Sequence, residues 1–114
     1  MNFKIPKETE FLSWTKHSIE KMKFYGLSEQ RIKRVLRNPK RIEEGIAPGT
    51  IAIMQPAGSK KHPYEIWLMY TKMRNKKRVI STWRYPGISP VGREIPIPEE
   101  MRSEIEKEIK KLKQ

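Results

Sequence analysis

The chain has 114 residues, no cysteine, two histidines, and 25 Lys and Arg against 13 Asp and Glu. This length suits one domain with its own core, so we expect residues 1–114 to form a single domain. The lack of cysteine excludes disulfides, thiolate zinc sites and cysteine nucleophiles, and two imidazoles alone lead us to expect neither a metal nor a cofactor.

The first elements are predicted by their capping residues. Residues 1–9 are polar and are expected to form a loose arm, and residues 10–14 are a candidate short strand. Residues 15–25 predict a helix, because Thr15 suits the N-cap and Gly26 suits the position after the last turn. The predicted order at the N-terminus is therefore an arm, a short strand and, directly after it, a helix.

A second helix follows the first at once. Ser28 is a favourable N-cap, and Leu27 and Ile32 have the spacing of a hydrophobic staple around it. Asn38 and Pro39 end the helix, since the residue before a proline disfavours helical geometry. The two helices are thus predicted to form a tight helical hairpin.

Period-two patterns then predict a sheet. The predicted strands are residues 40–46, 50–55, 64–73 and 78–85. The third of these is apolar on both faces, which is typical of a central strand. Loops are expected at 56–63 and 74–77, where glycine, proline, asparagine and charged residues cluster.

The C-terminal part is predicted to be a proline-rich loop at 86–98 and an amphipathic helix at 99–113. Helices followed by a strand meander indicate an α+β fold. We predict an N-terminal helical hairpin on one face of a four-stranded antiparallel sheet, with a C-terminal helix packed on the same face.

The net charge of +12 predicts a polyanionic partner, of which nucleic acid is the commonest. The alternative is a protein that is merely small, basic and soluble. No stretch near the N-terminus has the pattern of a signal peptide, and no apolar run approaches a membrane span. We therefore expect a cytoplasmic protein that does not contact membranes.

The segment SWTKHSIEKMKFYGLSEQRIKRVLRNPKRIEEG resembles a family of small bacterial domains with a Ser/Thr-x-His-Ala-x-x-Arg-Met-x-x-Arg-Gly-Ile-like signature. His17 takes the place of the signature histidine, Lys21 that of the first arginine and Tyr25 that of the second. The family is similar to ribonuclease toxins of the RelE and BrnT types. The resemblance covers residues 12–85 and implies a RelE-like fold, cleavage of free or ribosome-associated RNA, and regulation by a small acidic antitoxin protein.

Metal-independent RNA cleavage needs a proton acceptor, a proton donor and cations that stabilise the phosphorane. His17 and Lys21 are spaced i, i+4 on one helix face. Arg84 lies on the last predicted strand, and we expect it to converge with His17 on one phosphate. These three are the predicted catalytic residues. The alternatives are a histidine that only makes structural hydrogen bonds and an arginine that only faces solvent.

Further basic residues are predicted to position RNA through its phosphates. The second helix carries mostly positive charge on its solvent side, whereas an ordinary solvated face mixes both signs. By strand alternation, Arg78, Ile80, Thr82 and Arg84 are expected to share one face. The predicted RNA contacts are Lys16, Arg31, Lys33, Arg34, Arg37, Lys40, Arg41, Arg78 and Tyr85.

Three functions are consistent with these observations. The first is a toxin-type endoribonuclease controlled by an antitoxin. The second is an RNA-binding module of the same fold that does not cleave. The third is a protein-interaction module whose basic face meets an acidic partner. Lys21 and Tyr25 stand where the resembled signature has arginines, which keeps the second and third open.

Overall fold

Three helices and five strands make up the computed structural model, which describes residues 2–112. In chain order they are β1 (Leu12–Trp14), α1 (Lys16–Tyr25), α2 (Glu29–Arg37), β2 (Arg41–Glu44), β3 (Thr50–Gly58), β4 (Pro63–Met73), β5 (Lys76–Pro86) and α3 (Glu99–Leu112). The α+β class is confirmed. The last residue of the predicted C-terminal helix, Lys113, lies outside the described residues.

The sheet has five strands in the order β1-β5-β4-β3-β2. Strands β2 to β5 pair antiparallel, whereas β1 pairs parallel to β5, with Leu12 opposite Lys77 and Trp14 opposite Val79. The prediction of a four-stranded antiparallel sheet is therefore wrong in detail. The additional strand, β1, has only three residues. A run of this length is too short for period-two alternation to show its place in the sheet.

The helices cover both faces of the sheet, so the prediction that all of them pack on one face is wrong. On one face, Met22 of α1 and Ile32 and Val35 of α2 belong to the same core cluster as Ile66 and Leu68 of β4. We call this the α2 face. Strand β4 needs cover on its other side as well, because its intervening residues are also apolar.

The second face, here called the α3 face, carries the C-terminal helix. Met101, Ile105 and Ile109 of α3 are buried in a cluster with Trp67 and Trp83, among others. The two tryptophan rings stack with their centroids 6.0 Å apart. The amphipathic stripe predicted for this helix is thus buried against the sheet.

Both N-terminal helices begin as predicted. Thr15 Oγ1 accepts a hydrogen bond from Ser18 N at 3.0 Å, and Ser28 Oγ accepts one from Arg31 N at 3.1 Å. Gly26 has φ 67°, a left-handed conformation that favours glycine, and closes α1. The short connection leaves α2 lying over the sheet with its basic residues outward.

A β-bulge at Ile80 changes which residues of β5 share a face. Met69 pairs with Ser81, but Tyr70 pairs with Val79, so Ile80 is an extra residue. A one-residue slip moves side chains to the opposite face. The prediction that Arg78 and Arg84 share a face is therefore wrong, and Ile80 is buried on the α3 face instead.

A buried carboxylate holds the proline-rich loop against the α3 face. Glu65 is 2% exposed and accepts hydrogen bonds from Trp67 Nε1 at 2.9 Å, Ser89 N at 3.1 Å and Ser89 Oγ at 2.6 Å. Arg41 Nη1 donates to Ser89 Oγ at 2.7 Å. Because buried polar groups need partners, this network determines where the chain crosses from β5 to α3.

Candidate functional site

His17 lies in a polar cluster between α1 and α3. Its Nε2 atom is 2.9 Å from Ser81 Oγ, and its Nδ1 atom is 3.2 Å from Glu104 Oε2. Lys21 Nζ is 3.5 Å from the same Glu104 oxygen. The structure therefore brings His17 and Lys21 together, as their spacing predicts, and joins them to a carboxylate on the last helix.

The imidazole is held in its neutral form. Burial lowers the pKa of His17 below its ordinary value, and the positive charge of Lys21 acts in the same direction. The carboxylates of Glu104, Glu108 and Glu20 oppose this change, but burial outweighs them. At neutral pH the ring is thus a hydrogen-bonding partner of Ser81 and Glu104 rather than a cation.

The chain Ser81–His17–Glu104 has the order of a serine, histidine and acid relay, in which the acid orients the ring and the ring faces the hydroxyl. Ser81, however, is completely buried and His17 is only 6% exposed. Both side chains are therefore closed off from solvent in this structure. The contacts of His17 with Ser81 and Glu104 instead join α3 to α1 and β5.

Arg84 does not join this cluster. It pairs with Ile66, which belongs to the core of the α2 face, whereas Ser81 pairs with Met69 in the core of the α3 face. The expectation that His17 and Arg84 converge on one phosphate is therefore wrong. Ser81 and Arg84 are three positions apart on β5, so strand alternation places His17 and Arg84 on opposite sides of the sheet.

Acidification should destabilise the protein partly through His17. A lowered folded pKa means that the unfolded chain binds the proton more readily. The stabilisation is fully present above the unfolded pKa of about 6.5 and is lost as pH falls below it, by at most about 1.4 kcal/mol per pH unit. Urea unfolding at pH 7 and pH 5 should show a smaller loss of stability for His17→Gln than for the wild type. Parallel losses in the two proteins would contradict this prediction.

Arg84 instead lies with two arginines of α2. The strand register puts Gln55, Ile66 and Arg84 in one row across β3, β4 and β5 on the α2 face. Arg31 donates to Gln55 Oε1, and Gln55 Nε2 donates to the carbonyl oxygen of Arg34 at 3.4 Å. Through these hydrogen bonds, Gln55 holds the side of α2 that carries Arg31 and Arg34 against the sheet. We call Arg31, Arg34 and Arg84 the arginine cluster.

The arginine cluster is a concentration of like charge. Burial lowers the pKa of Arg31, and the charges of Arg34 and Arg84 lower it further. None of the three takes part in a salt bridge formed within residues 2–112. Guanidinium groups suit bidentate contacts with phosphate, so a cluster without internal carboxylate partners is suited to an external anion.

Other predicted RNA contacts extend this surface. Arg37 and Lys40, at the end of α2 and just beyond it, are exposed. Lys33 is half-buried and pairs with Glu29 at 2.7 Å, so it contributes less free charge. Lys16 is also exposed, but it lies at the start of α1 and not on α2.

Three of the predicted contacts lie elsewhere. Arg41 is over the Trp67 ring at 5.0 Å on the α3 face and pairs with Glu43 at 2.8 Å. Tyr85 packs, half-buried, against the same core, and Arg78 donates to Ser13 Oγ at 3.1 Å. The structure does not bring these residues to the α2 face, because strand alternation and the bulge direct them away from it.

Sequence reasoning did not assign a role to Tyr64, Gln55 or Glu104. Arg84 Cζ is 4.8 Å from the centre of the Tyr64 ring, which makes Tyr64 part of the surface around the arginine cluster. Tyr64 shows only the alternation of an ordinary strand residue, and Glu104 lies among other charged residues of α3. Their roles depend on contacts with residues distant in sequence.

Comparisons with protein-family models, curated proteins and solved structures find no match to this chain. The resemblance to RelE- and BrnT-type toxins therefore stays a prediction from the quoted residues. Within residues 2–112, no helix has the length and apolar character to cross a membrane. In the same range, no group of three histidine or carboxylate side chains is arranged to hold a metal ion.

Proposed function

We propose that the protein binds RNA through the surface formed by the arginine cluster and the exposed cations of α2, without cleaving it. The observation that carries the proposal is the arginine cluster: three guanidiniums gathered by α2 and β5 with no carboxylate paired to them among the described residues. Such a group is stabilised when a phosphate chain supplies the missing negative charge.

The distribution of charge along the chain supports this surface. Residues 12–86 contain 17 Lys and Arg against 5 Glu, which accounts for the whole net charge of +12. The residues before and after this range contain equal numbers of basic and acidic side chains. The excess therefore belongs to the sheet and the helical hairpin, which carry the arginine cluster, and not to the N-terminal arm or the C-terminal segment.

RNA is the proposed polyanion because residues 12–85 resemble RNA-directed toxins. The endoribonuclease activity that this resemblance implies has weaker support from the geometry, since His17 is enclosed and Arg84 lies across the sheet from it. An acidic antitoxin-like partner is the remaining alternative. It would compete with RNA for the same cations.

Binding should be detectable by fluorescence anisotropy with a labelled, unstructured RNA at low salt. Three to five phosphate contacts on a single strand predict that affinity falls by about 20- to 130-fold between about 50 and 200 mM salt. The RNA should remain intact on a denaturing gel after incubation. Lack of binding at low salt would contradict the proposal. Cleavage that is lost in a His17→Ala variant with an unchanged circular dichroism spectrum would support the endoribonuclease instead.

A further inference from the structure

We infer, resting on the proposed RNA binding, that Arg84 and Tyr64 form a platform on which a nucleobase stacks, so that the surface selects single-stranded RNA. The bases of a duplex are stacked on one another, whereas a single strand offers free base faces to aromatic rings and guanidinium planes. The platform adds a contact to the base beside the phosphate contacts of Arg31 and Arg34.

The tyrosine ring is held in place by the β3–β4 hairpin. Gly58 has φ 80°, and a Cβ atom at this position would lie 2.9 Å from Tyr64 Cδ1 and 3.1 Å from Cε1. The backbone at Gly58 thus packs directly against the ring. Tyr64 is half-buried and also packs against the core of the α2 face. These contacts leave the ring little freedom, which lowers the entropic cost of using it as a support.

The guanidinium of Arg84 lies over this ring and is accessible to solvent. Its Cζ atom is 4.8 Å from the ring centre, a distance typical of a cation–π contact. Arg84 is exposed, and no carboxylate among the described residues pairs with it. The contact with Tyr64 orders the guanidinium, and its open side is available to a base.

The surroundings suit a strand that runs across the platform. Arg31 and Arg34 lie on α2, and the like charges of Arg34 and Arg84 both act on Arg31. The hairpin loop beyond Gly58 carries the exposed Lys60 and Lys61. A ribose-phosphate chain can therefore meet cations near the base that stacks on Arg84, which is the pattern of single-strand binding sites.

The test compares an unstructured RNA of about 12 nucleotides with a chain of the same length and charge that lacks bases. The wild type should bind the RNA at least about fivefold more tightly than the abasic chain. Arg84→Lys keeps the positive charge but removes the planar group. It should weaken RNA binding by about fivefold while changing the affinity for the abasic chain by less than about twofold. Arg93→Lys, at an exposed position in the proline-rich loop, is the matched control.

The outcomes separate this inference from the proposed function. Equal affinity of the wild type for the two chains would overturn the stacking platform and leave RNA binding by the cations intact. Equal effects of Arg84→Lys on both chains, or no effect on either, would also overturn it. If neither chain binds at low salt, the proposed function fails together with the inference. Tyr64→Leu should reproduce the selective loss, since it removes the support beneath Arg84.

Discussion

Replacing Arg34 and Arg84 by glutamate should weaken RNA binding by at least about 30-fold at about 100 mM salt. Each lost phosphate contact on a single strand removes about 0.7 from the slope of log affinity against log salt, and the new carboxylates add repulsion. Both side chains are exposed and make no salt bridge among the described residues, so the stability of the variant should change little. Fluorescence anisotropy over a salt series measures the affinity and the slope together.

The matched control is the double substitution Lys107→Glu and Lys110→Glu. Both lysines are exposed on α3, across the sheet from the arginine cluster, and the change in net charge is the same. This control should lose less than about fivefold in affinity, because screening at about 100 mM salt limits the reach of surface charges to about 10 Å. If the two double variants lose affinity equally, binding depends on total charge and the proposed surface is wrong.

Glu65→Ala should lower the free energy of unfolding by about 3 kcal/mol. The substitution removes the acceptor for Trp67 Nε1, Ser89 N and Ser89 Oγ, all of which are enclosed. Each buried donor left without a partner costs about 1–3 kcal/mol, partly relieved where the loop moves to admit water. Urea unfolding followed by tryptophan fluorescence measures the loss, and Trp67 reports directly on the network.

Glu44→Ala is the control for this prediction. Glu44 is exposed on β2, so its removal should change stability by less than about 0.5 kcal/mol. Ser89→Ala should have an intermediate effect, since only the hydroxyl contacts are lost and the backbone N–H still reaches the carboxylate. A loss below about 1 kcal/mol for Glu65→Ala would show that the network does not anchor the proline-rich loop.

Much of the fold was predictable because its signals are local. The caps at Thr15 and Ser28 are chemical features of single residues, and both are used as predicted. The four longer strands follow from alternation of apolar residues, and the stripe of α3 follows from helical spacing. Local patterns of this kind predict whether a segment is a helix or a strand, but they do not predict which element packs against it.

The candidate site was predicted only in part. Arg31 and Arg34 are predicted RNA contacts on the solvent side of the second helix, and Arg84 is a predicted catalytic residue. The structure brings the three together. Their grouping was not predicted, since Arg84 was assigned to His17. One extra residue at Ile80 in β5 and the row through Gln55 decide which arginines meet, and neither has a signature in the sequence.

The sequence by itself determined the element types, the basic character of the sheet and hairpin, and the lack of cysteine chemistry, because these depend on composition and short-range spacing. Only the tertiary structure decided that β1 joins the sheet in parallel, that α3 covers His17, and that Arg84 faces α2. These contacts join residues about 50 to 90 positions apart. Their free energy depends on burial and strand register in the assembled core. A short-range sequence pattern carries no information on either.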